Sequence, residues 1–339
     1  MRFPLSLTLS MAAYILRKKL ARTKRFPLVL MLEPLHACNL TCTGCGRIRE
    51  YSSTIKEKLS VAECLRAADE AGTPIVSICG GEPMIYPGIG ELVRKLSHKR
   101  KHVILCTNGM FTRKRLHEFR PSGRFFFNVH LDGLEETHDR AVERPGVFRE
   151  AIEGIKAAKN AGFQVCTNTT VYQESDLNEI DRLFAFLTKL KVDTFMLAPA
   201  YGYAAVQATN PTGAAQIFLT RDQITAKFRE AKKRLSKYRL GTSPVYLEFL
   251  SGQRDLPCTA WGNPTRNVKG WKGPCYLITD EHHETFDGLI NDTDWSKYGR
   301  GKDPRCEHCM VHCGYEPSAA LGVNAKWSDP FKMLKWQLS

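Results

Sequence analysis

Between residues 27 and 203, short runs rich in β-branched and apolar residues alternate with stretches of helical period. The runs fall at 28–35, 74–79, 102–107, 125–131, 164–171 and 194–199, each of strand length. The helical stretches between them include 61–71, 90–99, 147–161 and 176–190. Ser60 precedes the first of these and Glu63 follows three residues later, which predicts a capping box. Strand–helix repetition of this kind demands parallel strands joined by right-handed crossovers, hence a doubly wound sheet or an α/β barrel. Six repeats are too few for a closed eight-fold barrel, so the pattern predicts an open, partial (β/α)6 barrel. In either architecture ligands collect at the carboxyl ends of the strands. Beyond about Pro211 the rhythm breaks. A basic helical stretch (221–238) leads to a short apolar run (246–250), then to a tail rich in Gly, Pro, Trp and Cys that needs a staple. The expected division is a basic amphipathic segment (1–25), the α/β barrel (26–215) and a Cys-rich C-terminal domain (216–339).

Composition narrows the class. With 339 residues, 43% hydrophobic and 25% charged, the chain is ordinary globular protein rather than disordered or fibrous. Its 12 cysteines are too sparse for a small disulfide scaffold and too clustered for chance. Three lie between 38 and 45, three between 306 and 313, and two at 258 and 275; Cys64, Cys79, Cys106 and Cys166 stand alone. No apolar stretch near the front approaches the roughly 20 residues of a membrane span. Charges follow the apolar N-terminal part instead of preceding it, and no small-residue cleavage site is present, which argues against a signal peptide. The expected setting is therefore a reducing cytoplasm, where thiol clusters read as metal sites or reactive thiols.

The charge, 49 − 35 = +14, suits either nucleic acid or an anionic surface. No RNA-binding module follows the barrel, so nucleic acid is not expected as a partner. In the first segment Leu5, Leu7, Leu9, Met11, Ile15, Leu16 and Leu20 are joined by Arg17, Lys18, Lys19, Arg22, Lys24 and Arg25, with no acid before Glu33. Such a segment either lies on anionic lipid, placing the protein at the inner membrane surface, or packs on the barrel with its charges solvated.

The first strand run leads into Cys38, Cys42 and Cys45, a C-x3-C-x2-C motif. Three thiolates can hold three irons of a 4Fe–4S cubane and leave the fourth iron open. A zinc site would need a fourth ligand, for which His36 stands nearby. Gly80, Gly81, Glu82 and Pro83 follow the second strand, Thr107, Asn108 and Gly109 the third, and His130, Leu131 and Asp132 the fourth. Together these motifs resemble the radical S-adenosylmethionine (SAM) superfamily. The resemblance implies that Cys38, Cys42 and Cys45 bind the cluster, whose open iron takes SAM as cosubstrate. It further implies that Gly80 and Gly81 allow close backbone approach and that Glu82 accepts the methionine ammonium, with Thr107, Asn108 and His130 beside it. Asn168, Thr170 and Ala198 become ribose and adenine contacts.

In the tail, Cys258, Gly270 and Cys275 precede a C-x2-C-x3-C trio at Cys306, Cys309 and Cys313. This spacing resembles a SPASM/Twitch auxiliary-cluster region. Five thiols suit one second 4Fe–4S cluster, while a structural zinc or no metal stays open. The strings around Pro257–Pro264, Trp271, Trp295 and Cys309–Glu316 resemble the adenosylhopane synthase (adenosyl-hopene transferase) family of hopanoid biosynthesis. Cys79 and Gly109 depart from that pattern. The family adds the 5′-deoxyadenosyl radical to the alkene of the triterpene diploptene, and it draws electrons from a flavodoxin- or ferredoxin-type donor. The tertiary carbon radical so formed needs a hydrogen atom. Cys106 is the expected thiol donor, with Cys79 and Cys166 as rivals, and Tyr201, Tyr203, Tyr246, Phe249 and Trp261 are expected as pocket walls. Competing readings are a radical enzyme of peptide or lipid modification, an RNA-modifying enzyme, and a non-catalytic iron–sulfur or zinc scaffold.

Overall fold

A computed structural model describes residues 2–207 and 217–339; the break in rhythm at Pro211 and the expected boundary at 215/216 lie outside the described residues. Strands β1 (Val29–Leu32), β2 (Ile75–Ile78), β3 (His102–Thr107), β4 (Phe125–His130), β5 (Gln164–Val171) and β6 (Thr194–Pro199) form in the expected order. All are parallel, each hydrogen-bonded to its sequence neighbour, so the sheet opens as a partial barrel. The crossover helices include Val61–Ala71, Ile89–His98, Val147–Asn160 and Leu177–Lys189. The Ser60 capping box is present, with Oγ accepting from Glu63 N at 3.2 Å and the Glu63 carboxylate accepting from Ser60 N at 2.7 Å.

The tail does more than hang from this barrel. Strand β7 (Thr265–Asn267) pairs parallel with β1, and β8 (Gly270–Pro274) and β9 (Thr279–His283) add antiparallel beyond it. The result is one nine-stranded sheet. Trp271 on β8 is fully buried, and its indole N–H donates to Glu70 at 3.0 Å. These strands carry Thr-Arg-Asn and Gly-Trp-Lys-Gly-Pro, without alternation, so hydrophobic periodicity gives no sign of them.

Parallel register aligns the inward side chains in layers, because residues paired across strands point the same way. Cys106, Asn128, Cys166 and Thr194 form one row across β3 to β6. Above it lie His130, Asn168 and Met196, and then Thr170 beside Ala198. The opposite face (Leu105, Phe127, Val165) packs under the helices in the main core.

The N-terminal helix Leu5–Leu20 closes the lower mouth of the barrel. Its Leu7 clusters with Ile75, Phe126 and Cys166, with Met11, Val29 and Ile104 against them. Tyr14 continues the contact with Phe26, Leu28 and Leu321. One face of this helix is therefore core; Leu5, Leu9, Leu16 and Leu20 on the other are exposed. Among the described residues, no helix is long and apolar enough to cross a membrane.

Candidate cluster and cofactor site

The cysteine loop is held by a second backbone laid against it. Beyond β1 and β2 the two chains continue as a pair: Cys79 N donates to Leu32 O at 2.8 Å, Gly81 N to Leu35 O at 3.2 Å and Glu82 N to Ala37 O at 2.9 Å. The glycines make this approach possible. Gly80 has φ +110°, and a Cβ on Gly81 would stand 1.9 Å from Ala37 O, inside any contact distance. Glu82 is fixed by the same crossing and is only 2% exposed. Its carboxylate accepts from Thr107 Oγ1 at 2.7 Å, Met84 N at 2.8 Å and Asn108 N at 2.8 Å. Three of about four acceptor positions are thus filled from the protein, leaving one on Oε2. Burial pushes this carboxyl upward and the three donors only partly offset it. Asn108 ties the end of β3 back to the loop, donating to Asn39 Oδ1 at 2.9 Å.

Cys38, Cys42 and Cys45 are half-buried on this loop and close enough to influence one another. Burial first, then neighbouring acidic groups, lifts the Cys38 thiol to about 12 and pushes Cys42 up as well. An iron cluster would take these residues as thiolates and compensate their charge. Leu40 N donates to Cys38 Sγ at 3.4 Å, and in the tail Ile278 N donates to Cys275 Sγ at 3.4 Å. The tail trio and its two predecessors also meet: all five thiols line one cavity of about 80 Å³, with Tyr201, Trp261 and Tyr315 in its wall. Among the described residues, no three Cys, His, Asp or Glu side chains close on the radius of one ion. The all-cysteine donor sets at both sites suit iron–sulfur clusters.

The inward layers place the remaining candidates. Cys106 is held beside Ser77 Oγ at 3.4 Å and Asn128 Nδ2 at 3.6 Å, and burial raises its thiol. His130 Nε2 meets Asp132 at 2.8 Å; burial would lower its imidazole, but the carboxylate outweighs burial and raises it. Asn168 Nδ2 stands 3.5 Å from His130 Nδ1, and Thr170 N donates to Asp132 at 2.8 Å. Ala198 is buried beside Thr170. Of the rival thiols, Cys79 is buried and Cys166 sits in the lower-mouth cluster, accepting from Thr194 Oγ1 at 2.9 Å. The expected aromatic walls need correction. Tyr246 and Phe249 are fully buried core, with Phe249 stacked on Tyr315 at 4.3 Å and the Tyr246 hydroxyl donating to Met310 O. Tyr203 accepts from Gly46 N at 2.7 Å under the cysteine loop, and Tyr201 and Trp261 face the tail thiols instead of the barrel.

One constellation escapes sequence reasoning. Arg47, two residues after Cys45, is 3% exposed and pairs with Glu33 at 3.0 Å and Glu50 at 2.8 Å. Its guanidinium donates to Tyr276 O at 2.7 Å, next to Cys275, and lies 4.2 Å over the Tyr276 ring. Lys272, fully buried, pairs with Glu50 at 3.0 Å and shares the same carbonyl at 2.8 Å. This buried network bolts the first cysteine loop to the tail. Its only signal in the sequence is an Arg close behind the third cysteine. Burial raises Glu33, yet Arg47, His36 and Lys272 outweigh it and lower the carboxyl to about 2. A depressed carboxyl stabilises the fold fully above its unfolded value of 4.5, and that contribution is lost as pH falls through about 2. We expect about 3 kcal/mol to disappear over this window in denaturant melts. Glu33→Gln should remove the acid-dependent part while costing about 3 kcal/mol at neutral pH, because it takes one of two carboxylate partners from buried Arg47. An unchanged acid slope in that variant would assign the loss to other carboxyls.

Comparison with known proteins agrees with this geometry. Residues 32–187 match the family model of the radical SAM superfamily. The radical SAM match is thus confined to residues 32–187, from the end of β1 to the helix before β6. Residues 195–333 match a domain of unknown function, DUF3463, whose limits take in β6 as well as the tail. The AdoMet-dependent heme synthase of Methanosarcina barkeri is 32% identical over 169 residues, 48% of each chain, so the match spans about half of that protein. The enzyme of the same name from Oleidesulfovibrio alaskensis is 26% identical over 317 residues, covering 83% of this chain and 80% of its own. In fold, the chain resembles Streptococcus suis SuiB bound to the precursor peptide SuiA, with TM-score 0.62 and 17% identity over 88% of this chain and 73% of that one. Radical SAM proteins use a 4Fe–4S cluster and SAM, and the tail thiols fit an auxiliary cluster.

Proposed function

We propose that this radical SAM protein adds a 5′-deoxyadenosyl group to the exocyclic alkene of a hopane triterpene, diploptene, with Cys106 returning a hydrogen atom. The cluster with SAM supplies the 5′-deoxyadenosyl radical after one-electron reduction by a flavodoxin- or ferredoxin-type protein. The protein's own part is positional. Cys38, Cys42 and Cys45 hold the iron, Gly80 and Gly81 let the two backbones approach so that Glu82 is placed beside the cysteine loop, and the free acceptor position on Glu82 takes the cosubstrate's ammonium. His130, Asn168, Thr170 and Ala198 line the way from that end of the barrel down to Cys106.

The observation that carries the reading is the Cys106 thiol itself. It faces the barrel interior two residues below Asn108, and burial keeps it protonated at neutral pH. Attack of C5′ on the terminal methylene forms one carbon–carbon bond, breaks the π bond and leaves the electron on the tertiary carbon. Cys106 S–H then gives its hydrogen atom, and the thiyl radical takes one electron from the same donor protein and one proton from water. Family resemblance of the tail strings supplies the substrate class.

A second reading has its own support. One heme synthase aligns with 83% of the chain, and the SuiB complex contains a peptide, so a radical enzyme acting on another substrate class competes directly. Anaerobic incubation of reconstituted protein with dithionite, SAM and hopanoid-containing lipid extract decides between them by mass spectrometry. Adenosylated triterpene supports the first reading; 5′-deoxyadenosine without that adduct supports the second. No 5′-deoxyadenosine from cluster-loaded protein would defeat both in favour of a scaffold. Under the first reading, Cys106→Ala should still form 5′-deoxyadenosine while saturated adduct falls at least about tenfold, about 1.4 kcal/mol of barrier. Normal adduct yields would remove Cys106 from the mechanism.

A further inference from the structure

Every large apolar side chain exposed among the described residues belongs to one of two segments. Four of them, Leu5, Leu9, Leu16 and Leu20, lie on the N-terminal helix. At 100° per residue these positions fall in one stripe, opposite Leu7 and Tyr14, which pack on the barrel. The other four are Trp327, 86% exposed, and Phe331, Leu334 and Leu338 on the C-terminal helix Asp329–Leu338. The last three recur at i, i+3 and i+7, again one stripe.

The C-terminal segment is tied to the chain at both ends of the N-terminal helix. Arg2 N donates to Gln337 O at 2.9 Å, and Phe3 packs on Trp336 at 5.7 Å. At the other end Lys19 Nζ donates to Leu321 O at 3.1 Å. Residues 321–337 therefore lead from one end of the N-terminal helix to the other, at the lower end of the barrel. Solvent exposure of this many large apolar groups, confined to one pair of elements, marks an interaction surface. Charge selects its partner. Arg17, Lys19, Arg22, Lys24 and Arg25 are exposed beside the first stripe, and Lys326 and Lys335 beside the second. The one acid in the C-terminal segment, Asp329, is buried in an ion pair with Arg254 at 2.7 Å.

We propose that the N-terminal helix and residues 327–338 form a single docking plate for an anionic phospholipid bilayer. Apolar stripes enter the boundary between headgroups and chains, and the basic rim meets the lipid phosphates. The plate lies at the barrel end away from the cysteine loop, so docking leaves the cluster end open to a soluble electron donor. The surface stands whatever substrate the barrel takes.

The test is flotation with vesicles of phosphatidylcholine alone or containing phosphatidylglycerol, using the full chain. Wild type should float with the anionic vesicles, weakly with neutral ones, and less as salt rises. Leu9→Glu with Leu16→Glu, and separately Phe331→Glu with Leu334→Glu, should each reduce the bound fraction at least about tenfold, since burying one such side chain is worth about that factor. Both variants should keep the wild-type rate of 5′-deoxyadenosine formation, which shows that they fold. Wild-type flotation by the Phe331/Leu334 variant would overturn the joint plate. Failure of wild type to float, or a dimer in sedimentation that either variant splits, would overturn the lipid assignment in favour of an interface between copies.

Discussion

Cys42→Ala is expected to yield a folded protein that forms no detectable 5′-deoxyadenosine from SAM, and Cys38→Ala and Cys45→Ala should behave alike. The loop offers three thiols, one for each of three irons, so each is needed. His36, the one nearby alternative, is fully buried, stacked on Tyr51 at 3.9 Å and turned to Glu33 and Thr54. It cannot swing to the iron without breaking the ionic network that seats Arg47. Stability should change little, because the half-buried loop cysteines are held mainly by backbone pairing between 32–37 and 79–82. The rate should drop by at least about 10⁶, the low end of enzymatic acceleration. Iron analysis separates the two sites: Cys42→Ala should lose the loop's share and keep that of the tail, and adding Cys275→Ala, Cys309→Ala and Cys313→Ala, which leaves two of the five tail thiols, should remove the remainder. Retention of a tenth of wild-type turnover by Cys42→Ala would show that the loop is not the cluster that cleaves SAM.

The sequence makes the barrel legible and the tail nearly opaque, for one physical reason. Strands β3, β5 and β6 occupy 102–107, 164–171 and 194–199 as their residues predict, because long β-branched runs bounded by helical period have one solution. Strands β7 to β9 are short, carry Gly, Pro, Lys and Asn, and exist because β1 offers them an edge. That is tertiary context, which no local window contains. The five tail thiols converge as spacing suggested, yet the wall of their cavity includes Tyr201, which was expected in the barrel. Tyr246 and Phe249 misled for a related reason: apolar aromatics look the same whether they line a pocket or fill the core. Arg47 was invisible because a buried arginine needs partners, and Glu33, Glu50 and Tyr276 come from three distant parts of the chain.

Gly81→Ala should be nearly as damaging as loss of a ligand, although it deletes nothing. A single methyl at this position would stand 1.9 Å from Ala37 O and 2.5 Å from His36 O, both backbone atoms. Neither can move without moving Cys38, one residue on. The variant therefore faces two outcomes, and both misplace the site. If the pairing from 79–82 to 32–37 opens, Glu82 loses its bond to Ala37 O at 2.9 Å and swings away from Thr107 and Asn108. If the loop retreats instead, three thiols shift relative to Glu82. Displacement of reacting groups by about 1 Å is enough for a loss of about 100-fold. Overpacking should also destabilise the fold by about 1–3 kcal/mol. Gly162→Ala is the control: its φ of +82° strains any side chain, but a Cβ there meets nothing within 4 Å. That variant should lose about 1–2 kcal/mol of stability and keep its activity. If Gly81→Ala matched Gly162→Ala in turnover, the close approach of the two backbones would be dispensable. The glycine would then serve the turn and not the seat of the cosubstrate.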